Sequence, residues 1–406
     1  MFFRLSIFLK FLVFLLFIWS IASLYFFGNS DIQSTSGIAP YITSIIVTLI
    51  EILAILVTIF NFKILVFNNI CRIVILWSVF MFLNVLLNSS NILFDLREVI
   101  WWPSVFLIFF SIFYKRNLEF KFNFIIKGMV ALFLILFIQF VLIRFSNIEF
   151  SLATGGLSLN HVFYVVLLSP FIFLITNKTW KYILMFLAIV AALISFKRSA
   201  MICMFLIFLI SIYFDFIKDK KGSFFSKIFI VIIVIVGLSS LYEHLNSGSD
   251  DYITNRLTSI SDDGGSGRTD IYAIVFNSFE NQFFENQLMG AGHNGVRNSG
   301  IVWETRGITN QNLSSHNDFI EVIYDYGIIG IIIYLFFIKK VISNTFKIRK
   351  INIKLFQANI VSLVMFIVMS MVSHLILYPT YFAYLVILWA ITASYLHKIK
   401  RNNYEG

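Results

Sequence analysis

Repeated runs of about 20 apolar residues, broken only by short polar turns, constrain this 406-residue chain more than any other feature. Hydrocarbon offers no water to an exposed N–H or C=O, so a chain with such runs folds as transmembrane helices that satisfy their own backbone. The composition agrees. Hydrophobic residues make up 59% of the sequence, phenylalanine occurs 49 times, and only 13% is charged, a balance foreign to soluble domains. Twelve spans can be drawn, at about 5–27, 40–60, 71–88, 99–114, 123–143, 158–176, 181–196, 199–217, 227–242, 319–338, 356–376 and 379–397. The first is too long for a signal-peptide core and has no small-residue cleavage site, so it reads as a retained helix. The expected fold is an all-α integral membrane protein: nine spans in residues 1–242, one large polar loop at 243–318, and three spans with a short tail in 319–406.

A net charge of +10 would point to nucleic acid in a soluble protein. Here it follows from the tendency of membrane proteins to gather basic residues in cytoplasmic loops, and no nucleic-acid partner is expected. With the N-terminus inside, Lys63, Arg72, Lys115, Arg116, Lys121 and Lys127 are cytoplasmic, as are Lys218, Lys220, Lys221, Lys339, Lys340, Lys347, Arg349, Lys350, Lys398 and Lys400. Only Arg97, Arg144, Lys197, Arg198, Arg256, Arg268, Arg297 and Arg306 fall outside. Both termini are therefore expected in the cytoplasm. Cys71 and Cys203 fall at or within spans and imply neither a disulfide framework nor a metal site.

The basic residues that break this rule matter most. Lys197-Arg198 joins two spans with almost no loop, on the side that should lack positive charge, and cations at that depth mark function. The large loop carries Arg256, Arg268, Arg297 and Arg306 but no lysine. Arginine without lysine points to two-pronged recognition of phosphate or carboxylate. After Ser266-Gly267-Arg268, the spacing of Ile271, Val275, Phe276 and Phe279 predicts an amphipathic helix resting on the membrane surface or on other helices. Gly290-Ala291-Gly292-His293-Asn294-Gly295 matches G-x-G-x-x-G formally, but no strand precedes it, so it reads as a tight turn and not a dinucleotide site. Asp250-Asp251 and Asp262-Asp263 read as solvated loop. Glu51 is an intramembrane carboxylate and functional by default, His161 and His374 sit at outer span ends, and His397 is a cytoplasmic end residue.

The loop ends in Ser315-His316-Asn317-Asp318-Phe319-Ile320-Glu321 and continues to Asp325-Tyr326-Gly327-Ile328-Ile329-Gly330. Ser315 with Asp318 predicts a helix cap that puts His316 in the first turn, with Asp318, Glu321 and Asp325 on one face. The positive end of the helix dipole favours neutral imidazole, the form a general base needs.

Three of these features occur in this order in one family. Ser195-Phe196-Lys197-Arg198-Ser199-Ala200, Ser266-Gly267-Arg268 with Leu288-Met289-Gly290-Ala291-Gly292, and Ser315-His316-Asn317 with Glu321 and Gly327-Ile328-Ile329-Gly330 resemble the motifs of the O-antigen polymerase and O-antigen ligase superfamily. Gln287-Leu288-Met289 stands where that family often carries proline. The resemblance covers roughly residues 190–340. It implies a fold like that of lipid-dependent membrane-embedded (GT-C-like) glycosyltransferases, a bacterial inner membrane location, and a periplasmic active site. It also implies a glycosyltransferase that needs no metal or cofactor and uses an undecaprenyl-pyrophosphate-linked glycan as donor and acceptor. A chain-length regulator protein and the bilayer itself are the other partners. His316, Arg198 and Arg268 are then catalytic, and Lys197, Arg256, Arg297, Glu321 and Asp325 contact substrate. Polymerase is favoured; transfer to lipid A core or protein by a ligase is the alternative. A flippase or transporter would need charges through several mid-membrane positions and an internal repeat, and the chain offers only Glu51 and no visible repeat.

Overall fold

The computed structural model describes residues 2–28, 38–89, 91–114, 118–146, 161–195, 197–218, 268–301, 314–372, 375–376 and 379–405. All the regular structure among them is helical, and the molecule is a multi-pass membrane protein. Five long helices open the chain: α1 (Phe2–Gly28), α2 (Ile38–Phe67), α3 (Asn69–Asn88), α4 (Ile92–Tyr114) and α5 (Leu118–Ser146). Asn68 starts α3 by accepting from the amides of Ile70 and Cys71, two of the donors that a helix start leaves unpaired. The remaining spans are α7 (Lys178–Ile194), α8 (Arg198–Lys218), α12 (Asp318–Ile348), α13 (Ile353–Val372) and α14 (Pro379–Glu405). Among the described residues, α2 to α5 and α12 to α14 contain stretches long and apolar enough to cross a bilayer, with shorter apolar stretches at 10–22, 162–174 and 199–214. The expected span at 227–242 lies outside the described residues.

Helix α4 lies at the centre, packed by α2, α3 and α14. Trp77, Trp102, Tyr334, Phe337 and Phe382 meet around it, with Trp102 and Phe337 rings 5.0 Å apart and Trp77 and Tyr334 rings 5.7 Å apart. Tilted and edge-on contacts of this kind add to the area such rings bury. The opposite character holds on α2, where Ile45, Ile52, Ile55, Ile59 and Phe60 are exposed in the row a lipid-facing helix presents.

One expected span is broken. Residues 158–176 were expected to form a single helix, but α6 (Val162–Val166) gives way at Leu167 to a 3-10 turn over Ser169–Leu174. Pro170 lacks the N–H that an α-helix needs there. Non-helical backbone at this depth survives because the turn is buried against α5, α7 and α13.

The two ends of the bundle differ in charge. Lys339, Lys340, Lys347, Arg72 and Lys400 surround two cavities at one end, near His397, whose ring lies 5.4 Å from that of Tyr114. The other end carries three short helices, α9 (Arg268–Glu280), α10 (Phe284–Met289) and α11 (Gly295–Ser299), and the start of α12. Ile271, Val275 and Phe279 of α9 form a separate apolar cluster with Val296 and Tyr324, so this helix rests on the protein. Phe276, expected on the same apolar face, is exposed.

Candidate functional site

The site end is organised by a break in α12. Gly327 has φ 65 and ψ −168, which separates a short helix at 318–326 from the long span that follows. A break of this kind strips the preceding carbonyls of their helical donors. The turn at 290–292 replaces them: Ala291 N–H donates to Tyr324 C=O at 2.9 Å, and Gly292 N–H donates to Asp325 C=O at 3.0 Å. The backbones cross too closely for side chains. A Cβ on Gly290 would lie 2.1 Å from the Asp325 carbonyl oxygen, and one on Gly327 would lie 2.4 Å from that of Leu288. Gly290 and Gly292 also have positive φ, as the tight-turn reading requires. Glycine is thus needed on both strands of the crossing.

The start of α12 differs from the expected cap. Asn317 is the cap residue, its Oδ1 accepting from the amides of Phe319 and Ile320. His316 therefore precedes the helix instead of lying in its first turn, with φ 58 in the left-handed region. Such a conformation costs a β-carbon-bearing residue roughly 1–3 kcal/mol and persists only where the surroundings enforce it. They do. Ser315 is buried and donates its N–H to Glu321 Oε1, while its hydroxyl bonds the Asn317 backbone. The cap expected at Ser315 is not formed, because its hydroxyl is engaged with the Asn317 backbone and the helix is capped two residues later at Asn317.

Asp318, Glu321 and Asp325 do share a face, and all three are fully buried. Asp318 accepts from Ser370 Oγ at 2.7 Å and from the amides of Leu375 and Ile376, tying α12 to the chain after α13. Asp325 Oδ1 accepts from the amide of Val296 at 3.0 Å. Glu321 and Asp325, expected to contact substrate, each accept from a backbone amide of a flanking loop.

Two helices that begin with an arginine start at the same end. Arg268 is the first residue of α9 and is half-buried. One turn on, Tyr272 donates its hydroxyl to the Met371 carbonyl at 2.9 Å, with the His316 carbonyl 3.5 Å away. Arg268 and Tyr272 share a helix face, so Arg268 is on the side of α9 that meets His316. Arg198 opens α8, after a turn in which Ser195 Oγ accepts from the Lys197 amide. Near the other end of α8, Phe214 packs on Phe356 at the start of α13 (5.8 Å). The two helices are therefore antiparallel, and the Arg198 end lies with the Met371 end. Lys197 is half-buried in that turn. Arg297 is exposed on α11, and Arg256 lies outside the described residues, as do Arg306, His374 and the two Asp pairs. His161 is buried at the start of α6. Glu51 is half-buried on α2, its Oε1 without a hydrogen-bond partner among the described residues.

Two residues escaped the sequence reading. Tyr272 carried no signal beyond its place on α9. His293 was hidden inside the glycine-rich turn: it is buried, with Nε2 2.9 Å from Glu98 Oε2 and Nδ1 2.6 Å from the Tyr326 hydroxyl. A ring protonated at Nε2 satisfies both contacts, donating to the Glu98 carboxylate and accepting from the phenol. Trp77 supports this arrangement, its ring 5.8 Å from that of Tyr326.

Residues 183–335 match the family described as O-antigen ligase. The match covers all three motifs and supports the O-antigen polymerase and ligase superfamily that they resemble. No curated protein matches the chain.

Proposed function

We propose that this chain, whose residues 183–335 carry the O-antigen ligase family match, polymerises lipid-pyrophosphate-linked oligosaccharide units on the outer face of a bacterial inner membrane. The observation that carries this reading is His316, fixed in a left-handed conformation between a buried serine and a helix cap, at the end of the bundle where Arg198 and Arg268 begin their helices.

In this reading a sugar hydroxyl of the acceptor attacks the anomeric carbon of the donor. His316 accepts the hydroxyl proton as the new C–O bond forms. The bond from that carbon to the lipid pyrophosphate breaks, and the pyrophosphate leaves with the electron pair. Arg198 and Arg268 stabilise the growing negative charge, and arginine suits this because its planar fork matches phosphate oxygens. Lys197, Arg256 and Arg297 add positive charge along the path of the anionic donor. Glu321 and Asp325 act through the backbone they hold, keeping the 315–317 and 294–296 loops in place. The lipid tail lies against the apolar faces of the spans, and a chain-length regulator protein would bear on this same end of the bundle. The placement of both termini in the cytoplasm rests on the basic cluster at the opposite end.

A ligase that passes the glycan to lipid A core or protein would use the same groups, and the family's description favours that as the second reading. Reconstituted protein supplied with lipid-linked repeat units alone separates the two. A polymerase makes a ladder of lengthening glycans, whereas a ligase makes none until its acceptor is added. His316→Ala should abolish the product while the protein still accumulates in the membrane. Near-normal product from that variant would remove the general base from the mechanism.

A further inference from the structure

A second feature at the site end has no part in the transfer step described above. A cavity of about 250 Å³ opens between the end of α3, the start of α4 and the turn at 291–299, lined by Asn88, Ser89, Asp95, His293, Asn298 and Tyr324. It is smaller than the roughly 300–1,000 Å³ pockets that take drug-sized ligands, and it suits a single ring. Its lining is mostly polar. Asparagine amides supply donors and acceptors, Ser89 and Asp95 form a bonded pair (Oγ to Oδ2, 2.6 Å), and the His293 ring is held by Glu98 and Tyr326. Tyr324 contributes an aromatic wall. Amide, hydroxyl and carboxylate groups beside one tyrosine answer to a ring that carries several hydroxyls, each of which donates and accepts.

The charge of the cavity narrows the ligand. Asp95 lines it and Glu98 backs it through His293, while no lysine or arginine is among the described lining residues. Arg97, the nearest cation on α4, turns instead to α2, where it bonds Ser44 and covers the Phe94 ring at 5.4 Å. An anionic group entering here would meet the Asp95 carboxylate on the wall, with Glu98 behind His293 and Arg297 exposed on the outer side of α11.

The distance narrows its role. From Asp318 to Tyr324 is six residues of helix, roughly 9 Å at 1.5 Å per residue, so the cavity is on the order of one or two sugar rings from His316. We propose that this cavity is a subsite for one uncharged sugar ring of the glycan, held beside the reacting unit and selecting against uronic acids and other anionic sugars. The proposal rests on the glycan-transfer reading.

The test is binding, not turnover. The full chain in lipid nanodiscs is probed by saturation-transfer NMR with N-acetylglucosamine, galactose and glucuronic acid at millimolar concentration. The expected result is transfer to at least one of the two neutral sugars, with glucuronic acid about tenfold weaker. Asn298 and Ser299 are exposed rim residues, so Asn298→Trp and Ser299→Trp should fold and should cut the neutral-sugar signal about tenfold by occupying the space. Asp95→Asn should admit glucuronic acid while keeping the neutral sugars. No transfer to either neutral sugar, equal transfer to glucuronic acid, or unchanged signals in both tryptophan variants would overturn the subsite. His316→Ala should bind as wild type. Near-normal glycan product from that variant with sugar binding intact would therefore count against the general base alone, and a wild-type chain that makes polymer but binds neither neutral sugar would count against the subsite alone.

Discussion

Replacing Glu321 separates a carboxylate that touches substrate from one that holds the loop bearing His316. Its Oε1 accepts from the Ser315 N–H, and both residues are fully buried. Glu321→Ala leaves that amide without a partner where water cannot replace it, a penalty of about 1–3 kcal/mol. The space left by the side chain adds a further 1–2 kcal/mol or so. At 1.4 kcal/mol per tenfold, a loss of about 2–5 kcal/mol shifts the population of the held loop by roughly thirty- to several thousandfold. Part of that will be absorbed by loosening of the first turn of α12, so the expected fall in activity is at least about tenfold. Glu321→Gln keeps a carbonyl of the same shape within reach of the same amide and should stay within about threefold of wild type. The assay is initial rate of glycan elongation by purified, reconstituted protein, with thermal unfolding measured alongside to correct for lost fold. If the glutamine variant is as inactive as the alanine variant, the charge itself is required and the loop-holding role fails. If the alanine variant is fully active, the Ser315 amide does not position His316.

Gly290→Ala and Gly327→Ala should each lower the unfolding temperature and the activity, because a Cβ would sit 2.1 or 2.4 Å from a carbonyl oxygen and the backbone would remain at positive φ; the strain alone is about 1–2 kcal/mol, and a variant as stable as wild type would show that the crossing can open. Arg198→Lys and Arg268→Lys keep the charge but lose the forked geometry, and each should cost roughly a hundredfold in rate; full activity in both would remove the pyrophosphate clamp. For orientation, a cysteine at the exposed Asn298 should react with a membrane-impermeant thiol reagent in intact spheroplasts, and one at the exposed Lys350 only after the membrane is opened. Labelling of the Lys350 position alone from outside would invert the protein and move His316 away from an outer-leaflet substrate.

Much of this protein is written in local sequence. Apolar length makes helices where no water can satisfy a bare backbone, so α2 to α5 and α12 to α14 could be drawn from hydropathy alone. Glycine at 290 and 327, the Ser315-His316-Asn317 run and the arginines at 198 and 268 could be marked as special from residue type and position. What local sequence could not decide is which groups meet. Glu321 and Asp325 share a helix face, as the sequence spacing requires, but only the fold buries them and brings the amides of Ser315 and Val296 to their oxygens. His293 lies inside what reads as a tight turn, but it becomes a buried link because Glu98 comes from 195 residues earlier and Tyr326 from 33 residues later. The break at Pro170 is tolerated only because three other helices surround it. Helices form from contacts within a few residues, whereas a site is made by carbonyls, rings and charges brought together across hundreds, and only the packed bundle sets those distances.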